Sequence, residues 1–152
     1  MMTNFNPRGI FENCANLSQQ VTMGVTRGMS KFAQMGYLPA SFTADAQSDV
    51  DFLAYHPVTG EVEKVQCKTT TYKREGNYIA ALKSGGKGKG NRKVAKDFTK
   101  LYVLDADDNE FIIDYDKIKN RTTQITLSEN DKLGWSWWLN SKTNYVSRSV
   151  IF

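Results

Sequence analysis

Two hydrophobic periods divide this chain. Between residues 17 and 35 the apolar positions Leu17, Val21, Val25, Met29 and Phe32 recur every three or four residues, the spacing that lines one face of a helix. Gly24 and Gly28 lie beside that stripe. Each glycine costs a helix about 1 kcal/mol relative to alanine, so the pair predicts a close approach of another backbone. Gly36 ends the helix, and Pro39 prevents its continuation. Upstream, residues 10–16 read either as a separate short helix or as an extension of this one.

From residue 50 onward the period shortens. Residues 50–55, 62–70 and 78–82 are rich in β-branched and aromatic side chains and are separated by turn residues, which predicts three strands in a meander. The glycine-rich stretch 84–91 cannot hold a regular element and reads as a loop. Residues 100–105 and 110–115 alternate around Ala106, Asp107, Asp108 and Asn109, a hairpin with turn chemistry. A brief helix over 116–120 and a short strand over 123–127 follow. The tail carries Trp135, Trp137, Trp138, Tyr145 and Phe152, an aromatic set that reads as core or subunit contact. Helix, strands, basic connection and further strands predict an α/β fold with a mixed central β-sheet flanked by helices.

Composition narrows the class. At 152 residues the chain suits one domain spanning 1–152, and 40% hydrophobic with 12% aromatic content is a globular composition. A net charge of +4 favours polyanionic partners. No apolar leader and no run approaching the roughly 20 apolar residues of a spanning helix is visible, so the expectation is a protein with no membrane association, not exported and cytoplasmic. With only Cys14 and Cys67 there is no disulfide framework and no paired-cysteine metal motif. Cys14 reads as a helix residue and Cys67 as a buried strand residue. His56, the only histidine, stands in a turn and reads as a surface residue, because the histidine-based sites need ligands this chain lacks.

The chemistry concentrates around residues 48–70. Side chains of a strand alternate between faces, so Gln66 and Lys68 share one face and Val65 and Cys67 the other. The segment 55–61 contains Pro57 and Gly60, and such a turn can fold Asp51 back beside Gln66 and Lys68. One acid, then an amide and an ammonium two residues apart, resembles the PD-(D/E)XK nuclease family, the restriction-endonuclease-like enzymes. The branch resembled most is the one with Gln-X-Lys in the last motif, which includes homing endonucleases encoded in group I introns. The helix before the acid, the strand after the lysine, the basic segment and the 101–115 hairpin also resemble that branch.

The resemblance implies a restriction-endonuclease-like core and a Mg²⁺-dependent endonuclease acting on double-stranded DNA, with Mn²⁺ able to substitute. It implies Asp51, Gln66 and Lys68 as catalytic residues, and Asp51 with the main-chain carbonyl of Cys67 as metal ligands. It also implies a homo-oligomer, dimer or tetramer, since a small chain reading a long site and cutting both strands gains from symmetry. Gln66 departs from the family's usual acid; its amide can coordinate metal but brings no charge, and Asp49 could compensate. The family's helix-borne glutamate should fall near Val25 or Thr26, where no acid stands. Glu12 is the nearest acid upstream, about 20 Å away along a continuous helix, and could reach the site only if the chain breaks between residues 13 and 18. Gln19 or Gln20 are polar substitutes.

Lys83, Lys87, Lys89, Arg92, Lys93, Lys96 and Lys100 form a basic segment with Asp97 as its one acid. Lys87, Lys89, Arg92 and Lys93 are the DNA-binding candidates, acting through phosphate charge and counterion release. Base readout would fall to residues such as Arg74, Asn77, Asn91 or Arg92, with Tyr72 and Tyr78 as packing contacts. Glu110, Asp114 and Asp116 could mimic a carboxylate cluster, but their spacing reads as exposed strand and helix start. Two other readings stay open: a structure-selective nuclease such as a Holliday-junction resolvase, and a catalytically silent DNA-binding module.

Overall fold

A computed structural model describes residues 8–41, 50–84, 93–94, 97–120 and 123–128 of the chain. The long helix, α1, runs Leu17–Gln34. Asn16 caps its start by accepting from Gln19 N, while the Gln19 side chain returns to Ala15 N, so two otherwise unpaired donors are satisfied. At the other end Gly36 adopts φ 94°, and Tyr37 N reaches back to Phe32 O, the left-handed stop that only glycine makes easily. Upstream, Gly9–Phe11 is a separate 3₁₀ turn. Cys14 lies in the link between the two and not in a helix.

The central sheet has five strands, ordered β1 (Leu38–Ser41), β2 (Phe52–Tyr55), β3 (Val62–Thr70), β8 (Lys100–Asp105) and β9 (Glu110–Asp114). Only the β3–β8 pair is parallel, which makes the sheet mixed. The expected meander is overturned here. β3 pairs with β8, whose Leu101, Tyr102, Val103 and Leu104 are fully buried, while the third expected strand leaves for a small separate sheet. That sheet is ordered β10 (Gln124–Thr126), β5 (Asn77–Ala81) and β4 (Lys73–Arg74). A strand flanked by apolar residues on both faces wins the interior position, because it removes most surface from water. β1 was not anticipated; it contains Pro39, tolerated because the strand ends the row. Ser84, expected in a loop, pairs in a two-stranded ribbon of β6 (Lys83–Ser84) with β7 (Lys93–Val94). A one-turn helix, α2 (Tyr115–Ile118), follows β9.

α1 covers one face of the sheet through the C-terminal part of the predicted stripe, where Phe32 is buried and Val25 and Met29 pack against the core, together with Gly24 and Gly28. Leu17 and Val21 are 70% and 47% exposed, whereas Gly24, Gly28 and Phe32 are buried. A Cβ on Gly24 would lie 2.5 Å from Thr69 Cγ2, and one on Gly28 3.0 Å from Cys67 Sγ and from Tyr102 Cδ1. The close approach predicted from the glycines is therefore real, but it is made to strand side chains. Phe32 completes the seam with an edge contact to Phe52 at 5.6 Å between ring centres, and each such buried aromatic side chain contributes roughly 1.5–3 kcal/mol. Arg27 and Lys31 pin α1 to the β8–β9 hairpin through Asp108 and Glu110, at 2.7 and 3.0 Å.

His56 is a second correction. It is 2% exposed, its Nδ1 accepting from Val58 N and Thr59 N and its ring meeting Tyr37 edge-on at 4.9 Å. The imidazole shapes the β2–β3 turn, which Gly60 closes at φ 78°. No described helix is long and apolar enough to cross a membrane.

Candidate active site

The β2–β3 ladder runs in register from Tyr55 opposite Val62 to Phe52 opposite Val65. One step further, at Asp51, the ladder changes. Asp51 N donates to Val65 O at 2.8 Å, and the Asp51 carboxylate accepts Cys67 N through Oδ2 at 2.6 Å. A side-chain oxygen thus takes the amide that an uninterrupted neighbour strand would have met with its main chain. The N–H and C=O of a strand residue point to the same side, so the Cys67 carbonyl also opens where β2 has already ended.

Along β3 the faces alternate as the sequence requires. Cys67 and Thr69 pack on α1, and Gln20 Nε2 donates to Thr69 Oγ1 at 2.9 Å. Gln66, Lys68 and Thr70 take the opposite face, where Thr70 Oγ1 donates to Ile79 O of β5 at 2.6 Å. Gln66 is 5% exposed, and its Oε1 has no hydrogen-bond partner among the described residues. Leaving a buried polar atom unpaired costs about 1–3 kcal/mol.

Burial is the largest influence on Asp51 and raises its pKa above that of a solvated aspartate; the Cys67 N–H bond and the nearby Lys68 charge oppose the rise. Burial likewise drives the Cys67 thiol well above its ordinary value, with the Asp51 charge adding to it. The thiol is therefore neutral and packs as a small apolar group.

Asp51, Gln66 and Lys68 are thus brought together, with the Cys67 main chain between the last two. Other candidates stand elsewhere. The turn carrying Glu12 is tied to Ala106 by Ile10 N at 2.9 Å, five strand residues and roughly 15 Å beyond Leu101, the partner of Gln66. The chain does break between residues 13 and 18, yet the break carries Glu12 to the far end of the sheet. Gln19 is consumed in the helix cap and Gln20 lies on the α1 face of β3. Glu110 accepts the Tyr102 hydroxyl at 2.6 Å and pairs with Lys31, and Asp114 pairs with Lys100, so these acids brace the hairpin. Lys87, Lys89, Arg92 and Asp49 lie outside the described residues, as do the aromatic residues of the tail; Lys93 is described only as backbone in β7.

Among the described residues no group of three or more His, Cys, Asp or Glu gathers as a metal cage. One carboxylate, an unpaired amide oxygen and a main-chain carbonyl are the oxygen donors that a hard cation can use here. Mg²⁺ accepts so sparse a set because it keeps several of its own waters. Sequence reasoning missed the side-chain insertion into the ladder, for which the only cue was Asp51 directly preceding a strand.

Two comparisons return nothing: no family model and no curated protein matches the sequence. The solved structures do offer a likeness. A structure described as that of a bacterial homing endonuclease, I-Ssp6803I, matches over 88% of this chain and 99% of that chain, with a TM-score of 0.65 and 17% sequence identity. At that identity the likeness is one of fold, and the chain shares with that endonuclease a mixed α/β architecture built on a mixed central sheet and a helix.

Proposed function

We propose that the chain is a single-domain, metal-dependent DNA endonuclease of the PD-(D/E)XK type with a Gln-X-Lys motif, hydrolysing phosphodiester bonds at a specific site in double-stranded DNA. The observation that carries this reading is the Asp51 carboxylate bonded to Cys67 N beside the buried Gln66, whose Oε1 is unpaired. The likeness of fold to a homing endonuclease supports it. In this reading Asp51, Gln66 Oε1 and the Cys67 carbonyl hold Mg²⁺, or Mn²⁺ in its stead, and the bound ion supplies Lewis-acid neutralisation of phosphate charge.

The protein's own groups do the rest. Hydrolysis forms a bond from a water oxygen to phosphorus and breaks the bond to the leaving oxygen, with negative charge accumulating on the phosphate oxygens. Lys68 orients the attacking water and offsets that charge. Asp51 is held in one rotamer by the Cys67 amide, so no reorganisation accompanies the step. Lys87, Lys89, Arg92 and Lys93 contribute phosphate contacts, and a homo-oligomer supplies the second cut.

Supercoiled plasmid and phage DNA incubated with wild type, Asp51→Ala and Lys68→Ala in Mg²⁺ test the reading. Nicking or linearisation by wild type alone is expected, and cleavage that persists unchanged in both variants would overturn the assignment. A silent DNA-binding module is the second reading, favoured by the uncharged Gln66; it predicts salt-sensitive binding with no product in Mg²⁺ or Mn²⁺.

A further inference from the structure

The geometry points to the β4–β5 ribbon as the element that reads base sequence, through Arg74 and Asn77 in the major groove. This deepens the proposed function and rests on it for the identity of the DNA as substrate. β4 and β5 pair with Arg74 opposite Asn77 and Lys73 opposite Tyr78, and Glu75 and Gly76 join them with φ of 52° and 84°. Two consecutive left-handed residues define the tight hairpin turn whose twist matches its strands, so the tip is stiff. Every residue from 71 to 77 is exposed. A two-stranded ribbon is one of the two shapes that the major groove, about 12 Å wide, admits.

The two faces of the ribbon differ. Lys73 and Tyr78 turn inward: Lys73 meets Asp107 at 3.0 Å and lies 4.7 Å above the Tyr78 ring, which is itself buried. Arg74, Asn77 and Tyr72 share the outer face, and the Arg74 guanidinium lies 6.0 Å from the centre of the half-exposed Tyr72 ring. An arginine carried on an aromatic face next to an amide provides the two side chains that make paired hydrogen bonds to guanine and to adenine. Glu75 at the tip decides between bases and backbone. Its charge cancels that of Arg74 and would repel phosphate, whereas a carboxylate can accept from the cytosine amino group.

Placement follows from chain length. Arg74 is six residues beyond Lys68 on a continuous path through the end of β3, which spans no more than roughly 20 Å. At 3.4 Å per base pair that is within about six base pairs of the cut.

The test is selection from a duplex library with a randomised segment, run in two arms. One arm sequences cleaved ends in Mg²⁺, and the other sequences duplexes retained without divalent ion. Wild type is expected to enrich a guanine and an adenine within about six base pairs of the cut. Arg74→Ala should lose the guanine preference and Asn77→Ala the adenine preference, each by about 5- to 150-fold, with the salt dependence of binding nearly unchanged. Wild-type preferences retained by both variants, or no preference in wild type, would overturn the inference. So would a uniform loss of affinity with a shallower salt slope, the mark of a phosphate contact. Selective binding without cleavage would leave the ribbon assignment standing while refuting the endonuclease, and cleavage with unchanged preference would do the reverse.

Discussion

The two faces of β3 are built on opposite terms, although they alternate residue by residue along one strand. On the α1 face Cys67 and Thr69 are packed so closely against Gly28 and Gly24 that an added Cβ would come within 3.0 Å of Cys67 Sγ and 2.5 Å of Thr69 Cγ2, forcing a neighbour to shift. On the other face Gln66 is buried with an unpaired oxygen, and Asp51, at the edge between them, is held as a carboxylate in surroundings that favour its protonated form. One face maximises stability, and the other carries strain that folding alone does not require. Local destabilisation amid good packing is the pattern of a functional site. The first face moreover locates the second: because α1 fixes Cys67 and Thr69, the positions of Gln66 and Lys68 are determined by the same backbone.

The comparison can be broken most severely at Lys68. Replacing it with alanine is expected to lower DNA cleavage by about 10²–10⁴-fold while the urea midpoint moves little, since the ammonium is partly exposed; single-turnover cleavage beside a denaturation curve checks both halves. A Gly28→Val change attacks the packed face. Its branched side chain would meet Cys67, Tyr102 and Phe52, and overpacking of this kind costs about 1–3 kcal/mol, measurable as a lower urea midpoint with unchanged slope.

Gln66→Leu should act with the opposite sign. Removing the unpaired Oε1 is expected to raise stability by about 1–2 kcal/mol and to abolish Mg²⁺-dependent cleavage, so a loss of both stability and activity would refute the contrast between the faces. Smallest is the effect of Asp51→Asn, which keeps an oxygen for the Cys67 amide. The folded pKa of Asp51 is raised. Below the unfolded value both states hold the proton; above it the native state alone retains it, so its contribution to stability is lost as pH climbs through the folded value. The variant should therefore gain stability over wild type as pH rises from about 3.5 to about 7, as read by denaturation at the two values.

Much of the arrangement was legible before any coordinates. α1, β3, the β8–β9 hairpin and the grouping of Asp51 with Gln66 and Lys68 follow from local rules, because periodicity, capping and turn chemistry act over a few residues. His56 was misread as surface, since nothing in a Pro-containing turn signals that Tyr37 will close over it. Only the start of the helix stripe was misread: hydrophobic spacing counts Leu17 and Val21, which stay exposed, while Val25, Met29 and Phe32 pack on the core beside Gly24 and Gly28.

By itself the sequence determined α1, β2, β3, β5 and the β8–β9 hairpin, and the alternation that separates polar residues from packing along β3. Tertiary structure alone decided that β8 and not β5 lies beside β3, that Glu12 goes to the distant end of the sheet, and that the Asp51 carboxylate enters the ladder at Cys67. These are pairings between segments far apart in the chain. They are chosen by competition for buried area and backbone hydrogen bonds, which no local pattern records.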